Sequence, residues 1–128
     1  MNVTVLSGGV GGARFAQGVV DVVPPESVTV VGNVGDDVDV LGLHVSPDLD
    51  SVLYALARAN DEERGWGRAG ETFRTLETVA SLGGESWFGL GDLDLGLHLG
   101  RTQSLRSGEP LSRVTARLAA AFGVATAL

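Results

Sequence analysis

Four groups of residues in this sequence could carry chemistry, and the first is a glycine-rich turn that reads SGGVGGAR over residues 7–14. Glycine lets the backbone turn tightly and bring its amides against an anion, beside a helix N-terminus that favours negative charge. Arg14 stands where the third glycine of a dinucleotide fingerprint would fall. A tight turn without ligand is the alternative, but the position favours a phosphate held by the glycines, which are Gly8, Gly9, Gly11 and Gly12.

The second group is the acidic loop NVGDD at residues 33–37, just past a predicted strand. Adjacent carboxylates at the carboxyl end of a strand suit a divalent cation or a ribose hydroxyl. A solvated acidic loop is the alternative interpretation. The position of the loop favours a site, with Asn33, Asp36 and Asp37 as its candidates.

The third group is SPDLD at residues 46–50, where a helix is predicted to begin. Asp48 has a structural use as an acid in the first turn. Asp50 lies at the margin of the predicted buried face, where a carboxylate needs a partner because an unpaired buried charge is costly. We therefore rank Asp50 above Asp48 as a ligand.

The fourth group comprises Asp92, Asp94, His98, Arg101 and Thr102. On a helix, Asp94, His98 and Arg101 would share one polar face at i, i+4 and i+7. Arginine is suited to phosphate, although a surface ion pair is an equally good interpretation. Trp66, flanked by glycines, could stack on a planar ring or simply pack.

The elements that must position these groups begin with two predicted strands, 3–6 and 28–31, which we expect to be buried on both faces. A helix from residue 13 to about 22 joins them, so the strands should be parallel. Residues 40–45 are predicted as a short strand or an extended segment. A helix then follows Ser46, which is a good capping residue, with Pro47 in its first turn.

Later segments are predicted as a polar loop at 60–70, a helix at about 71–82 with Phe73, Leu76 and Ala80 inward, and a last helix from Ser112 to Phe122. Residues 124–128 look like the beginning of a strand. Residues 92–102 are ambiguous, because four leucines alternate as in a strand while the polar residues share a helical face.

Composition limits the chemistry further. The chain has 128 residues, 19 glycines, nine arginines, no lysine, no cysteine and a formal net charge of −7. These numbers argue against nucleic-acid binding and exclude lysine and thiol chemistry, so any metal must be a hard cation held by oxygen ligands or histidine. No signal peptide or membrane-spanning run is present, so we expect a cytoplasmic protein with no membrane partner.

Seven short motifs in order resemble the 2-phospho-L-lactate transferase family of coenzyme F420 biosynthesis. They are GGVGGARF (8–15), NVGDD (33–37), SPDLD (46–50), RGWG (64–67), ET (71–72), LGD (90–92) and HLGRT (98–102). The resemblance implies a Rossmann-like, doubly wound α/β fold with a mostly parallel sheet.

The resemblance also implies a Mg²⁺-dependent transfer of a phospholactyl or phosphoenolpyruvyl group from a guanosine diphosphate-linked donor to the deazaflavin Fo, releasing GMP. The glycine turn and Asp36 or Asp37 would then lie at the phosphates and metal. Asp50 would lie at the metal and the acceptor and is the candidate general base. The backbone at Gly89 would approach the Fo ring, and Arg101 would bind substrate.

Two features depart from that family. Its members usually have a positive charge where this chain has Leu93, and their chains continue beyond residue 128. We therefore expect residues 1–128 to be the N-terminal part of a single α/β transferase domain, with an incomplete sheet whose open edge could support a homodimer. The rival hypotheses are a nicotinamide- or flavin-binding oxidoreductase domain and a nucleotide-binding module without activity.

Overall fold

The computed structural model describes all residues, 1–128, and its first half is built on a β-α-β unit. Strand β1 (Val3–Ser7) pairs in parallel with β2 (Val28–Gly32), and helix α1 (Gly9–Val20) connects them. The α/β, Rossmann-like class is confirmed, with a sheet of only two strands. The helix begins four residues earlier than predicted, because glycine residues of the turn themselves form its first turn.

One face of this small sheet carries the main hydrophobic core. Val5, Val28 and Val30 pack against two alanines of α1 and against Val52 and Ala55 of α2 (Pro47–Leu56). The opposite face is open, since Leu6 is 80% exposed and Val31 52% exposed. The prediction that both strands are buried on both faces is therefore wrong, because no element packs on that second face.

The predicted segment at 40–45 is in fact a hairpin of β3 (Val38–Val40) and β4 (Leu43–Val45). Its two turn residues, Leu41 and Gly42, both have positive φ, at 53° and 75°. Such a turn matches the twist of paired strands. The hairpin leads directly into α2, so it fixes where the acidic residues of that helix begin.

The second half of the chain is helical, with α3 (Arg74–Ser81), α4 (Asp92–Arg106) and α5 (Leu111–Ala121). Helix α3 begins three residues later than predicted, and Ala80 is exposed, whereas Phe73 and Leu76 are half-buried. Helix α5 is preceded by Pro110 rather than capped by Ser112. The predicted strand at 124–128 is reduced to one parallel bridge between Ala127 and Thr29.

The ambiguous segment 92–102 lies within a single helix, α4, which is joined to α3 by reciprocal capping. Glu71 accepts from the amides of Leu93, at 2.7 Å, and Asp94, at 3.1 Å. Asp92 accepts from the amides of Arg74 and Thr75 at the start of α3. Each carboxylate thus satisfies free N–H groups of the other helix, and α4 is held in a fixed position. No helix of the chain has the length and apolar character needed to span a membrane.

Candidate active site

A cleft opens at the N-terminal end of α1, where the chain brings together four of its predicted motifs. The main cavity has a volume of about 390 Å³. It is lined by residues of α1, of the start of α2 and of α4, and by the loop segments 66–67 and 88–89. Its acidic side chains are Asp48, Asp50 and Asp94.

The glycines of the turn have different surroundings and therefore different roles. Gly9, with φ of 66°, lines the cavity, and a Cβ on Gly8 would lie 3.4 Å from the carboxylate of Asp48. Gly12 faces the strand instead, because a Cβ there would lie 2.5 Å from Ser7 Oγ. No side chain caps α1, so its first amides are free and suited to an anion. A Cβ on Gly11 would meet nothing within 4 Å.

The acidic loop is split between two environments. Asn33 donates from Nδ2 to Asp36 Oδ2, at 3.0 Å, and to Asp48 Oδ2, at 2.9 Å. Asp37 instead accepts from Ser46 Oγ, at 2.8 Å, and contacts His44 Nε2 at 2.9 Å. Asp36 therefore lies with Asp48 on the exposed side near the glycine turn, whereas Asp37 ties the hairpin to α2.

These contacts also change the expected role of Ser46, whose hydroxyl forms no capping bond with α2. Its Oγ donates to Asp37 because the side chain is fully buried beside that carboxylate. The other oxygen of Asp37, Oδ1, is buried without a partner. His44 contacts the same carboxylate from the hairpin.

Asp50 and Arg101 form a buried ion pair that joins α2 to α4. Both terminal nitrogens of the guanidinium reach the carboxylate, and Nη1 lies 3.1 Å from Asp50 Oδ2. Nη1 also donates to His98 Nδ1 at 3.2 Å. Arg101 is 1% exposed and does not line the cavity, so its guanidinium is committed to protein partners rather than available to a phosphate.

The pKa values of this cluster follow from its burial. Burial raises the pKa of Asp50 to about 6, and the Arg101 guanidinium opposes that rise. Burial lowers the pKa of His98 to about 4, with the Arg101 charge acting in the same direction. At neutral pH the cluster therefore holds an ionised Asp50 and an uncharged His98 around one arginine.

Tyr54 and Asp94 belong to the same cleft, and the sequence did not place them together. Tyr54 donates its hydroxyl to Asp94 Oδ1. Burial raises the pKa of Asp94, and burial beside this carboxylate also raises the pKa of the Tyr54 phenol. The helical spacing of Asp94, His98 and Arg101 was the available signal, and all three are indeed buried on one face of α4.

Trp66 forms one wall of the cleft. The guanidinium of Arg64 lies 4.7 Å from the centroid of its ring, and the indole is 46% exposed. A Cβ on Gly89 would lie 3.0 Å from the edge of the indole. The lack of a side chain at Gly89 thus gives room to Trp66, and both residues line the main cavity.

No three histidine or carboxylate side chains converge on a point where a metal could be held. The carboxylate of Asp50 is occupied by Arg101, and Asp37 is turned toward the hairpin. Mg²⁺ in proteins is usually bound by one or two carboxylates together with substrate phosphates and water. Asp36 and Asp48 fit this mode of binding, because Asn33 donates a hydrogen bond to both carboxylates and Gly8 lies beside Asp48.

Comparison with known proteins bears on these features together. Residues 3–128 match the family described as 2-phospho-L-lactate transferase CofD. The chain belongs to this family. The resemblance inferred from the seven motifs is thereby confirmed.

Relatives named phosphoenolpyruvate transferase are similar over most of this chain. The protein from Streptomyces griseus is 51% identical over 121 residues, which are 94% of this chain and 38% of the relative. The proteins from Nocardia farcinica and Thermobifida fusca are 53% and 47% identical, over 91% and 92% of this chain and 35% and 39% of their own lengths. The chain therefore spans little more than a third of the length of these relatives.

Proposed function

We propose that this chain carries the donor- and acceptor-binding part of a transferase of coenzyme F420 biosynthesis. The reaction moves a phosphoenolpyruvyl group from a guanosine diphosphate-linked donor to the side-chain hydroxyl of the deazaflavin Fo, with release of GMP. The observation that carries the proposal is a single cavity joining the open N-terminus of α1 to buried carboxylates, in a chain of the CofD family. The enolpyruvyl donor, rather than the lactyl one, is favoured by the names of the relatives.

The chemistry asks for positioning and charge control rather than a covalent intermediate. The acceptor oxygen forms a bond to the phosphorus that carries the enolpyruvyl group, while the bond from that phosphorus to the GMP oxygen breaks. The free amides of α1 would hold the phosphates. Backbone at Gly89 and the ring of Trp66 would border the flat ring of Fo.

The acceptor hydroxyl must lose a proton as it attacks. Asp50 lines the cavity, and its pKa of about 6 leaves it ionised at neutral pH yet able to take a proton. The Asp50 carboxylate is already positioned by Arg101 and would receive the proton without moving. Asp94, on the same wall, helps to raise the pKa of Asp50 through its charge.

Mg²⁺ would be held by Asp36 and Asp48, and when bound it would neutralise the charge of the donor phosphates. Asp48 lines the cavity, and Asn33 orients both carboxylates by donating to each of them. Asp37 and Asp50, the other candidates for the metal, would remain in their present contacts with Ser46 and Arg101.

The test compares ligands on the 128-residue chain by calorimetry, with and without Mg²⁺. Fo and GDP should bind, with GDP depending on Mg²⁺, and NAD should not. Tight NAD binding that ignores Mg²⁺ would instead support an oxidoreductase domain and overturn the proposal.

Turnover is measured as GMP release and as the mass of the Fo product, with the enolpyruvyl donor supplied. The chain is assayed alone and together with the remaining segment of the Streptomyces griseus relative. Product in either assay supports the transferase. Binding of Fo and GDP without product in both assays would favour the module without activity.

A further inference from the structure

The RGWG motif at residues 64–67 lies in the loop between α2 and α3 and supplies part of the cleft wall. Asn60 and Arg68 form an antiparallel bridge, so the loop folds back on itself. The two glycines of the motif have φ of 81° and 74°, a conformation that glycine adopts without strain. Trp66, which stands between them, is 46% exposed and lines both the main cavity and an adjoining one of about 310 Å³.

The side chain of Arg64 joins the two arms of this loop. Its Nε donates to the carbonyl of Trp66, at 3.3 Å, and its Nη2 donates to the carbonyl of Arg68, at 3.0 Å. Nη2 also lies 3.2 Å from Oδ2 of Asp61, whose Oδ1 accepts from the Arg64 amide at 2.8 Å. One guanidinium therefore holds two backbone carbonyls and one carboxylate of the same loop.

The same guanidinium also lies over two aromatic rings. Its Cζ is 4.7 Å from the centroid of the Trp66 ring and 5.3 Å from that of Phe73. Phe73 directly precedes α3, and the first amides of that helix donate to Asp92 at the start of α4. Arg64 thus ties the Trp66 ring to α3 and, through the reciprocal caps, to the helix that forms another wall of the cleft.

The contacts of the Trp66 indole leave one of its faces to the cleft. The Arg64 guanidinium covers one face, and a Cβ on Gly89 would lie 3.0 Å from the edge of the ring. The face opposite the guanidinium is the one that a ligand in the cleft can reach. An aromatic ring held in this way is a suitable surface for a flat heterocycle.

We propose that Arg64 is a positioning residue, which sets the plane of the Trp66 ring against which the flat ring of the acceptor packs. The role requires arginine, because a planar guanidinium can donate to several acceptors while it stacks on aromatic rings, whereas the ammonium group of lysine is a point charge. A ring that is ordered before the ligand arrives loses less entropy on binding. Arg64 itself touches no substrate in this role. The inference rests on the proposed function for the identity of the acceptor, Fo.

The first measurement follows the Trp66 ring in the 128-residue chain without ligand. Trp87→Phe leaves Trp66 as the single tryptophan, and Trp87 lines neither cavity. In this background, Arg64→Lys keeps the positive charge but loses the planar fork. It should raise the constant for quenching by acrylamide about twofold and add a fast component to the decay of fluorescence anisotropy, since side chains that are not held move within nanoseconds. Arg113→Lys, which changes an exposed arginine of α5, is the matched control and should alter neither quantity.

The second measurement is the affinity for Fo by calorimetry, arranged as a double-mutant cycle. Arg64→Lys should weaken Fo binding about tenfold, a part of what stacking on one aromatic ring contributes, and leave the affinity for GDP with Mg²⁺ unchanged. Trp66→Ala should weaken Fo binding at least as much. Adding Arg64→Lys to Trp66→Ala should cause no further loss, because the two residues act as a unit. Additive losses would overturn the inference, since Arg64 would then act on Fo by another route.

Phe73→Leu is a second variant, which keeps the test decisive if Arg64→Lys does not fold, as judged by urea titration. It takes one ring from the guanidinium and leaves the hydrogen bonds of Arg64 in place, so both measurements should change in the same direction as in Arg64→Lys. Unchanged quenching and anisotropy in the folded variants would overturn the inference, because Trp66 would then be held without Arg64. An equal loss of Fo and GDP affinity would also overturn it, because it would indicate a general loosening of the cleft.

The proposed function fails separately, if Fo does not bind the native chain. The fluorescence of the ligand-free chain then still decides whether Arg64 fixes the Trp66 ring, since that measurement needs no substrate.

Discussion

Replacing Asp50 by asparagine is the sharpest single test of how the site is built. Asp50 is both the proposed base and the counter-ion of Arg101, whose side chain is almost completely buried. In Asp50→Asn the guanidinium keeps one of the two acceptor oxygens of this side chain and loses its only negative partner. His98, with its pKa of about 4, is uncharged and cannot replace that partner.

The expected loss in the free energy of unfolding is about 3–5 kcal/mol, the usual cost of removing one partner from a buried ion pair. Because small domains are stable by only about 5–15 kcal/mol, this variant should be close to unfolding at 25 °C. The double variant Asp50→Leu with Arg101→Met removes both charges together. It should recover most of the loss, since replacing a whole buried pair by apolar side chains is often neutral or stabilising.

Urea titration followed by circular dichroism at pH 7.5 measures the native chain, Asp50→Asn and the double variant. An inactive Asp50→Asn variant has two explanations, unfolding and loss of the proposed base. The double variant separates them, because it is expected to be folded yet to lack that base. A loss below about 1 kcal/mol in Asp50→Asn would refute the reasoning, since the pair would then contribute no more than an exposed one. Asp50 would in that case be free to act as a metal ligand.

Three further variants test the capping and packing of α4. Gly91→Ala places a Cβ where the side chain of Glu71 lies and should displace that side chain from the start of α4. The free energy of unfolding, measured by urea titration, should fall by about 2 kcal/mol, the upper end of the range for a lost helix cap. Gly96→Ala, in the same helix with open space around its Cβ, should instead gain up to about 1 kcal/mol, and a similar loss in both variants would contradict the steric argument. The free energy of unfolding of His98→Asn, relative to that of the native chain, should rise by about 3 kcal/mol between pH 7 and pH 4, as measured by urea titration at each pH. Burial keeps the ring neutral in the folded chain, whereas histidine in the unfolded chain takes up a proton near pH 6.5. The folded native chain therefore loses stability relative to its unfolded state as the pH falls from 6.5 toward 4. A difference between the two proteins that does not change with pH would contradict this.

The sequence predicted the β-α-β unit because its signals are local. Apolar runs, a glycine turn and the prolines after α1 lie within about 30 residues, and parallel pairing follows from the helical connection. The beginning of α1 was placed too late, since glycine is a poor helix former and the free amides at Gly9 become visible only in the structure. The open second face of the sheet could not be predicted either, because it depends on which elements pack there.

The segment 92–102 shows why a periodic pattern can mislead. Its leucines alternate as in a strand, yet Leu93 and Leu99 are exposed in α4. The helix is stabilised by partners far away in the chain, since Asp50 is 51 residues from Arg101 and Glu71 is 22 residues from Leu93. A pairing at such separation leaves no local signal, so the burial of Arg101 could not be predicted.

The position of Leu93 also bears on the family comparison. The residue that departs from the usual positive charge is exposed on α4, and only its backbone amide takes part in the capping by Glu71. The cap therefore does not depend on the side chain at this position. The missing charge concerns the surface of α4 rather than the position of Asp94.

The charge of the main cavity leads to a prediction about Mg²⁺. Asp48, Asp50 and Asp94 line the cavity, and no arginine does. The Arg101 guanidinium, which lies behind the cavity wall, balances the negative charge of Asp50. Burial raises the pKa of Asp94, and Asp48 faces the phosphates of any nucleotide held at the start of α1. Like charges repel each other, so we expect a diphosphate to require a cation in order to enter the cavity.

We therefore expect GDP affinity to rise at least tenfold between zero and 5 mM Mg²⁺, and guanosine affinity to be unchanged; a tenfold change corresponds to about 1.4 kcal/mol. Asp48→Asn removes one negative charge and one proposed ligand, so it should weaken the Mg²⁺ effect while improving GDP binding in EDTA. This opposite sign is the distinguishing result. If Asp48→Asn lowers GDP affinity equally in EDTA and in Mg²⁺, the carboxylate contacts the nucleotide directly and the argument from repulsion is wrong.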